Sequence, residues 1–348
     1  MKIQENVPLA PLTTLAVGGP ARYFAPAITE DEVRQAVAFA CGCDLPLFVL
    51  GGGSNLLVAD SGWPGLVLKV AIRETRRSCL GRTPLFDVGA GVVWDEFVFQ
   101  AVSANCAGIE CLSGIPGSVG GTPVQNVGAY GQDVSETIES VRALDLNQDR
   151  VVTLSAEECG FGYRSSLFNT ASRGRYVILR VSFSLTEGGV PEIKYADLQK
   201  HFATSSGPPS LAQVREAVLQ TRQSKGMLLV PGDPDSRSAG SFFKNPVLSA
   251  AQFCALSDRA QAKGLQIPSY PALDSQRKVP AAWLVEHSGF SKGFKLGHAG
   301  ISRKHALALI NLGGARAEEM VRLKDAIERG VQEEWDIVLE AEPVFVGY

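Results

Sequence analysis

Two glycine-rich segments are the parts of this sequence best suited to bind an anion with backbone groups. The first, Gly51-Gly52-Gly53-Ser54-Asn55, directly follows an apolar run at 46–50 that predicts a short strand. Glycine permits positive φ and lets the backbone approach a ligand closely. Successive backbone N–H groups in such a turn can bind an anion. A plain tight turn is the competing interpretation of so short a motif.

The second segment, residues 114–131, is longer and carries no charged residue. It reads GIPGSVGGTPVQNVGAYG, and six of its positions before Gln125 are glycine or proline. Neither a regular helix nor a central strand can run through such a stretch. An apolar loop is costly to leave in water, so we expect protein or a cofactor to cover it. The residues alone leave a cofactor-binding loop and a buried loop as alternatives.

Two cations, Arg222 and Lys225, lie near the predicted end of a helix that begins at Leu211. Basic side chains there can stabilise the negative helix terminus, or they can face an anionic ligand. Standard nucleotide motifs are missing: no Walker A sequence occurs, and Gly89-Ala90-Gly91 lacks the third glycine of the dinucleotide pattern.

The elements that must position these residues are mostly strands in the first half of the chain. Residues 29–32 read as a capping box that opens a helix, and a second helix is predicted near 94–104. Strands are predicted at 46–50, 66–70, 85–88, 141–146, 151–154 and 176–185. Because strands and helices do not alternate regularly, we expect an α+β protein rather than a doubly wound sheet.

A turn-rich stretch at 205–210, SSGPPS, predicts a linker. We expect a first region at 1–205 with subdomains of about 1–72 and 73–205, a second domain at 206–340, and a returning segment at 341–348. Helices of the second domain are predicted after Leu211, after a Ser249 cap, over 281–287 and along the stripe Met320, Leu323, Ile327 and Val331.

Composition excludes several classes of protein. With 45% hydrophobic residues and a formal net charge of −3, extended disorder is excluded, and 33 basic against 36 acidic residues give no broad nucleic-acid footprint. No apolar run is long enough for a membrane span, and no signal-peptide core is visible. The seven cysteines have neither C-x-x-C nor zinc-site spacing. We expect a cytoplasmic protein with reduced thiols, without bound metal and without nucleic-acid or membrane partners.

Five blocks of the sequence resemble, in order, the UDP-N-acetylenolpyruvoylglucosamine reductase (UDP-N-acetylmuramate dehydrogenase) family. They are the TTL and VGGPA strings at 13–21, LGGGSNLL at 50–57, the loop 114–131, FGYRSSLF at 161–168 and AGSFFKNP at 239–246. Their order and spacing agree with the family from about residue 10 to residue 347. Chance agreement of five ordered blocks is not a reasonable alternative.

The resemblance implies a two-part FAD-binding region of the vanillyl-alcohol-oxidase type and a C-terminal α+β substrate-binding domain. It implies NADPH as reductant and hydride transfer from flavin N5 to the enolpyruvyl ether of UDP-N-acetylglucosamine. The product, UDP-N-acetylmuramate, is a precursor of bacterial peptidoglycan. All histidines lie at or after His201, so we expect non-covalent FAD; we also expect a monomer that binds a small nucleotide-sugar substrate.

Three residues match the family's catalytic positions. Ser241 resembles the proton donor, and Arg164 resembles the permanent cation that stabilises the developing enolate beside a carboxylate. Glu342 is the third. An ionised Glu342 would repel the substrate carboxylate, so we predict that it is buried near the flavin with a raised pKa.

The C-terminal motif departs from the family pattern. Alanine rather than proline precedes the glutamate, proline rather than valine follows it, and two glutamates compete for the role. Counting forward from Leu339 and backward from Phe345-x-Gly347 both select Glu342. Glu340 is then expected to be a solvated surface charge.

The resemblance also assigns ligand contacts. Tyr195 matches the tyrosine of a mobile substrate-covering loop found in one branch of the family, although an ordinary surface tyrosine is the alternative interpretation. Lys225 is assigned to the diphosphate of the substrate and Asn245 to its nucleotide portion. Tyr163 and Arg222 complete the substrate contacts. The FAD contacts are Gly51, Gly52, Gly53, Ser54, Asn55, Leu56, Ile115, Pro116, Gly117, Ser118, Gly120, Gly121, Thr122, Gln125, Asn126, Gly128, Ala129 and Tyr130.

Two other functions remain open. Another FAD oxidoreductase of the same superfamily, such as an alcohol oxidase, would share the glycine loops but not the Ser241 block or Glu342. A non-catalytic nucleotide-sugar or flavin-binding protein would lack at least one of the three catalytic residues, and Ser241, Arg164 and Glu342 are all present.

Overall fold

The apolar runs of the first half form strands where they are predicted. The computed structural model describes residues 1–81, 83–204 and 207–348. Up to residue 224 its elements are, in chain order, β1 (Gln4–Pro8), β2 (Pro20–Ala27), α1 (Glu30–Gly42), β3 (Leu47–Leu50), β4 (Leu56–Val58), β5 (Trp63–Val70), β6 (Thr75–Leu80), β7 (Thr83–Gly89), α2 (Trp94–Ser103), β8 (Cys106–Ala107), β9 (Gly128–Ala129), β10 (Gln132–Asp133), β11 (Ile138–Asp145), β12 (Arg150–Ser155), β13 (Tyr176–Ser184), β14 (Thr186–Glu187), α3 (Ala196–Phe202) and α4 (Leu211–Ser224).

Thr29 caps α1 as predicted. Its side-chain oxygen accepts the Glu32 N–H at 3.1 Å, which satisfies one donor of the first turn. The reciprocal bond differs from a standard capping box, because the Glu32 carboxylate accepts from the N–H of Ile28 at 2.7 Å rather than from Thr29. The helix buries Val33 and Ala40.

Two larger sheets organise these elements. One has the order β1-β2-β5-β3, with β5 parallel to β2 and β3. The other has the order β12-β11-β13-β7-β6 and is antiparallel throughout. Parallel and antiparallel sheets with segregated helices confirm the α+β class.

Aromatic packing fixes the start of α2. Trp94, Phe97 and Phe183 are buried, with ring centroids 4.9 to 5.9 Å apart. The Trp94 indole N–H donates to the Leu112 carbonyl at 2.9 Å. The residues that follow Leu112 are therefore anchored to a helix that is itself rigidly packed.

The elements after residue 224 include the predicted helices and also several short strands that were not predicted. They are β15 (Ser238–Ser241), β16 (Val247–Leu248), α5 (Ala250–Ala262), β17 (Tyr270–Pro271), β18 (Arg277–Lys278), α6 (Ala281–Glu286), β19 (Lys295–Leu296), β20 (Ala299–Ile301), β21 (Ala308–Asn311), α7 (Ala317–Trp335) and β22 (Val344–Val346). Ser249 and Gln252 form the predicted capping box. The predicted stripe of α7 is completely buried at Met320, Leu323 and Ile327.

The chain forms two compact units that are each built from separate segments. The first unit comprises residues 1–7, 21–53 and 63–223, and the second comprises 8–20, 54–62 and 224–348. Each unit has its own apolar core. The predicted division at Ser205 and Ser206 lies outside the described residues and stays a prediction.

Within the second unit the chain ends on a strand pair. β22 pairs in parallel with β4, so that Val344 lies opposite Leu56 and Val346 opposite Val58. The antiparallel sheet β15-β21-β20-β19 forms the rest of its framework. Among the described residues, the helices all lack the length or the hydropathy that spanning a membrane requires.

Candidate functional site

In the first unit, the loop at 51–53 packs directly against the second glycine segment. A Cβ on Gly52 would lie 2.5 Å from the carbonyl carbon of Gly117 and 2.7 Å from the Ser118 nitrogen. Gly117 has a φ of 137° and Gly53 a φ of 69°, values that L side chains rarely adopt. Glycine is therefore required at 52 and 117 for the two loops to meet backbone to backbone.

Ser118 presents a buried hydroxyl at this junction. Its Oγ has no hydrogen-bond partner among the residues that the structure describes, and a Cβ on Gly51 would lie 3.0 Å from it. A buried hydroxyl without a partner costs about 1–3 kcal/mol. A phosphate oxygen of FAD would supply the missing partner, so the residues present fit a pyrophosphate at this position.

Lys69 is a cation at the same loop that the sequence analysis missed. Its Nζ donates to the Gly51 carbonyl at 3.3 Å. Burial, followed by repulsion from Arg73, lowers the pKa of Lys69. The available signal was a lysine inside an otherwise apolar strand, β5.

The start of the long loop is hydrogen-bonded to the segment that contains the incomplete dinucleotide motif. Trp94 N–H donates to the Gly117 carbonyl at 3.1 Å, and Gly120 N–H donates to the Ala90 carbonyl at 2.9 Å. A Cβ on Gly91 would lie 2.5 Å from the Cα of Ala71. The Gly89-Ala90-Gly91 motif therefore serves close backbone packing beneath the loop.

Arg164 contacts the far end of this loop. Its Nη2 donates to the Gly128 carbonyl at 2.7 Å, and its Nη1 to the Asn126 carbonyl at 3.4 Å. Arg164, Asn126 and Tyr130 have φ values of 52°, 46° and 51°. Non-glycine residues in this left-handed region store strain, which concentrates at functional sites.

Two side-chain hydrogen bonds hold the Arg164 segment on the loop, and a third braces the segment itself. Asn126 Nδ2 donates to the Gly162 carbonyl at 3.0 Å, Ser166 Oγ to the Val124 carbonyl at 2.7 Å, and Asn169 Nδ2 to the Arg164 carbonyl at 3.1 Å. The sequence analysis quoted Ser166 within a family block without assigning it a role, and it missed Asn169. Both are positioning residues for Arg164, since each anchors main chain rather than facing a ligand.

Arg222 lies against the loop rather than at a solvent-exposed helix end. Its Nε donates to the Gly114 carbonyl at 3.1 Å, and its side chain hydrogen-bonds that of Tyr130. Burial lowers the pKa of Arg222. The assignment of Arg222 as a substrate contact stays a prediction.

Tyr195 and Tyr163 are exposed at this end of the first unit. Tyr195 precedes α3, and its ring packs edge-to-face on Tyr130 with centroids 5.3 Å apart. A Cβ on Gly131 would lie 2.6 Å from the Cβ of Lys194. The segment that carries Tyr195 therefore lies on the loop in this conformation, and its predicted mobility stays a prediction.

Ser241 and Glu342 are brought together by main-chain hydrogen bonds within the second unit. Ser241 ends β15, and the next residue, Phe242, accepts the Glu342 N–H at 2.9 Å. Asn55 Nδ2 donates to the Glu342 carbonyl at 3.2 Å. Phe242 is completely buried, so these two main-chain segments are held firmly side by side.

The two competing glutamates have different surroundings. Glu340 pairs with Lys244 at 2.5 Å, and its side chain is 70% exposed. Glu342 is only partly exposed, and its own N–H makes the main-chain contact with Phe242 described above. Glu342 is therefore less buried than predicted, and its catalytic role and raised pKa stay predictions.

His305 is a partly buried group for which no role was predicted. Its Nδ1 lies 3.1 Å from the Leu307 N–H and therefore accepts, which leaves Nε2 protonated. The Leu307 carbonyl in turn accepts the N–H of Phe242 at 2.8 Å. Burial, with the positive charges of Lys225 and Lys292, lowers the pKa of His305 to about 4.

Asn245 has a structural contact that limits its predicted role. Its Oδ1 accepts the Ala281 N–H at 2.9 Å, at the start of α6. Only its amide N–H groups are then left to donate to a nucleotide. Lys225 lies near His305, and its contact with a diphosphate stays a prediction.

The remaining predicted FAD contacts lie in or beside the two glycine loops. Thr122 Oγ1 donates to the Val119 carbonyl at 2.8 Å and so braces the loop itself. Thr14 Oγ1 lies 3.3 Å from the Ser54 carbonyl. The others on these loops are Leu56, Ile115, Pro116, Gly121, Gln125 and Ala129.

Comparison with known families agrees with this architecture. Residues 20–155 match the FAD binding domain, and residues 233–346 match the UDP-N-acetylenolpyruvoylglucosamine reductase C-terminal domain. The glycine loops and the first match define an FAD-dependent flavoprotein of the oxidoreductase class.

Relatives extend the match over the whole chain. The UDP-N-acetylenolpyruvoylglucosamine reductase of Thermobifida fusca is 47% identical over 99% of this chain and 98% of the relative. That of Streptomyces coelicolor is 44% identical, over 99% of this chain and 91% of the relative. The crystal structure of the Thermus caldophilus enzyme has a TM-score of 0.68 and 28% identity, covering 99% of both chains. The chain belongs to the UDP-N-acetylenolpyruvoylglucosamine reductase family, and its predicted cofactor, FAD, is confirmed.

Proposed function

We propose that this protein catalyses the NADPH-dependent reduction of the enolpyruvyl ether of UDP-N-acetylglucosamine to UDP-N-acetylmuramate, a precursor of peptidoglycan. The observation that carries the proposal is the main-chain pairing of the Ser241 and Glu342 segments in one unit. The bond joins Glu342 to the residue that follows Ser241, and it supports a site that combines a hydroxyl group with a carboxyl group. Neither residue would be needed by a protein that only binds a flavin.

The chemistry supplied by bound FAD is hydride transfer from NADPH to the enolpyruvyl group. The glycine loops at 51–53 and 114–131 would hold FAD. The Ser118 hydroxyl, which has no partner among the described residues, would donate to its pyrophosphate. Lys69, on the Gly51 carbonyl, adds positive charge at this position. Because Lys69 is partly buried, its attraction for a phosphate is screened less than that of a surface lysine.

Hydride addition leaves negative charge on the carbon next to the substrate carboxylate. Arg164 stabilises this enolate, because its guanidinium is a permanent cation with a fixed fork of donors. The loop carbonyls that accept from Arg164 orient that fork. Glu342, in its neutral form, donates a hydrogen bond to the same developing charge.

Ser241 then protonates the carbanion-like carbon. A hydroxyl is a weak acid, so it can serve only against a strongly basic centre. The main-chain bond between Phe242 and Leu307 fixes the strand that carries Ser241. Lys225 binds the substrate diphosphate, and Asn245 donates to the nucleotide.

Separate half-reactions test this proposal. Ser241→Ala should still let NADPH bleach the flavin at the wild-type rate, but turnover with the enolpyruvyl nucleotide should fall by at least ~10²-fold. Ser288→Ala is a matched control, because Ser288 Oγ bonds only locally, to the Leu284 carbonyl. Turnover by Ser241→Ala equal to that of Ser288→Ala would remove Ser241 as the proton donor.

The same assay separates the alternative oxidase function. NADPH oxidation that requires the enolpyruvyl nucleotide supports the reductase. Oxygen consumption with an alcohol substrate, in the absence of any nucleotide-dependent NADPH oxidation, would contradict it.

A further inference from the structure

We propose that Asp95 and Arg215 are positioning residues for FAD binding, because their ion pair locks the start of the loop 114–131 onto helix α4. Neither residue is among the predicted ligand contacts, and Arg215 lies in no family block of the sequence analysis. The proposal rests on the proposed flavin-binding role of this loop.

The ion pair has the geometry of a strong interaction. Arg215 Nη1 lies 2.6 Å from Asp95 Oδ1, and Arg215 Nη2 lies 2.7 Å from Asp95 Oδ2. The Arg215 side chain is 13% exposed and that of Asp95 33%. A bidentate pair fixes the relative orientation of the guanidinium and the carboxylate as well as the distance between them.

Asp95 also holds the loop directly. The Gly114 N–H donates to Asp95 Oδ1 at 2.6 Å, and Gly114 has a φ of 70°. Burial would raise the pKa of Asp95, but the hydrogen bonds from Arg215 and Gly114 outweigh it and lower the pKa. The carboxylate is therefore ionised at neutral pH and serves both partners.

Helix α4 reaches Gly114 from the other side as well. Arg222 Nε donates to the Gly114 carbonyl at 3.1 Å. Residues 215 and 222 are two helical turns apart, so they lie on the same face of α4. One face of this helix therefore holds both main-chain polar groups of Gly114. Arg215 holds the N–H indirectly, through Asp95, and Arg222 holds the carbonyl directly.

The start of α2 makes further hydrogen bonds to the main chain on either side of Gly114. Asp95 is the second residue of α2, and its neighbour Trp94 bonds Leu112 through its indole and Gly117 through its N–H. The loop is thus tied to α2 on both sides of Gly114. Releasing Asp95 from Arg215 should let the loop sample other conformations, and FAD would then have to order it on binding.

Three substitutions separate the contributions. Asp95→Asn keeps an acceptor for Gly114 but loses the ion pair, and Asp95→Ala loses both contacts. Arg215→Gln keeps the Asp95–Gly114 bond but loses the ion pair, together with the contact between its guanidinium and the Phe99 ring. We expect the FAD dissociation constant of the apoprotein to rise about 3- to 10-fold for Asp95→Asn and Arg215→Gln and more for Asp95→Ala. Arg215→Lys, which keeps the charge without the fork, should fall between Arg215→Gln and wild type.

A matched ion pair provides the control for simple loss of stability. Arg175 and Asp145 form a bidentate pair in the same unit, with distances of 3.1 and 2.7 Å. Arg175→Gln removes it without touching the loop 114–131. It should lower the melting temperature while leaving the FAD dissociation constant within about 2-fold of wild type.

The readouts are titration of apoprotein with FAD, followed by flavin fluorescence, and the visible spectrum of the bound flavin. Weaker FAD binding in Asp95→Asn and Arg215→Gln, with no further weakening in the double variant, supports the proposal, because both remove one interaction. An FAD dissociation constant within 2-fold of the wild-type value in both single variants overturns the proposal. An equal increase of the dissociation constant in Arg175→Gln also overturns it. Failure of the wild-type protein itself to bind FAD would instead overturn the proposed function of the loop.

Discussion

At the residue scale, Glu340 and Glu342 are chemically identical side chains two positions apart with different surroundings. Glu340 is exposed and paired with Lys244, and exposed ion pairs contribute about 0–1 kcal/mol. Glu340→Gln should leave kcat within about 2-fold of wild type. Glu342→Gln should lower kcat by ~10²-fold or more, because a carboxylic acid that donates in the transition state is lost.

The measurement is steady-state NADPH oxidation with the enolpyruvyl nucleotide at saturation. Glu340→Gln is the control for Glu342→Gln, since both replace a carboxyl group by an amide in the same segment. Equal kcat values for the two variants would show that counting along the motif selected the wrong role for Glu342.

His305 makes a second prediction at this scale. Its pKa is about 4 in the folded protein, against about 6.5 when unfolded. Below pH 6.5 the unfolded state binds a proton that the folded state does not. The stabilisation from His305 is therefore complete above pH 6.5 and is lost as the pH falls towards 4.

His305→Asn should flatten this pH dependence, because asparagine keeps an acceptor for the Leu307 N–H and does not titrate. The measurement is the free energy of unfolding from denaturant titrations at pH 7, 5.5 and 4.5. The exposed His201→Asn should keep the wild-type slope. A His305→Asn slope equal to that of His201→Asn would contradict the prediction.

At the element scale, the two glycine loops depend on each other. Gly52→Ala would place a methyl group against the main chain of Gly117, so one loop must move. We expect a loss of about 1–3 kcal/mol in the free energy of unfolding, together with weaker FAD binding. Denaturant titration of the apoprotein and FAD titration measure the two effects.

Gly42→Ala is the control at this scale. Gly42 ends α1, and a Cβ there would meet nothing within 4 Å. Alanine should be neutral or should stabilise by up to about 1 kcal/mol, mainly by restricting the unfolded chain. If Gly52→Ala changes the free energy of unfolding no more than Gly42→Ala does, then the close packing of the two loops does not contribute to stability.

At the scale of the whole molecule, bound FAD should raise the melting temperature of the protein. A ligand that binds only the folded state stabilises it by about 2.7 kcal/mol at 100 times its dissociation constant. The melting temperature should therefore rise steadily across an FAD concentration series. An unchanged melting temperature in saturating FAD would contradict the assignment of FAD as a tightly held cofactor.

The thiols allow a second prediction at this scale. All seven cysteines are free, and Cys111 and Cys159 are buried. Burial raises the pKa of each of these two thiols to about 12, so both are unreactive at neutral pH. A reductant should leave the melting temperature unchanged; a fall on reduction would indicate a stabilising disulfide.

Local patterns in the sequence predicted most of the helices and six strands of the first half, and they drew attention to the glycine loops. The strand at 176–185 and the stripe of α7 were visible because periodicity reports which side chains of one element face a core. The glycine loops were visible because glycine and proline exclude regular structure. The roles of Ser241 and Glu342 came from resemblance, since a single serine or glutamate carries no such pattern.

Only the tertiary structure decided which distant residues meet. The pairing of β4 with β22, the packing of Gly52 on Gly117, and the holding of Gly114 by Asp95 and Arg222 all join segments far apart in the chain. No local period encodes such contacts, because they depend on loop closure and on the fit of whole sheets and helices. Asp95 and His305 were missed for this reason, because each looks ordinary in sequence and acquires its partners only in the fold. Lys69 stood out as a lysine in an apolar strand, but its contact with Gly51 is likewise visible only in the fold.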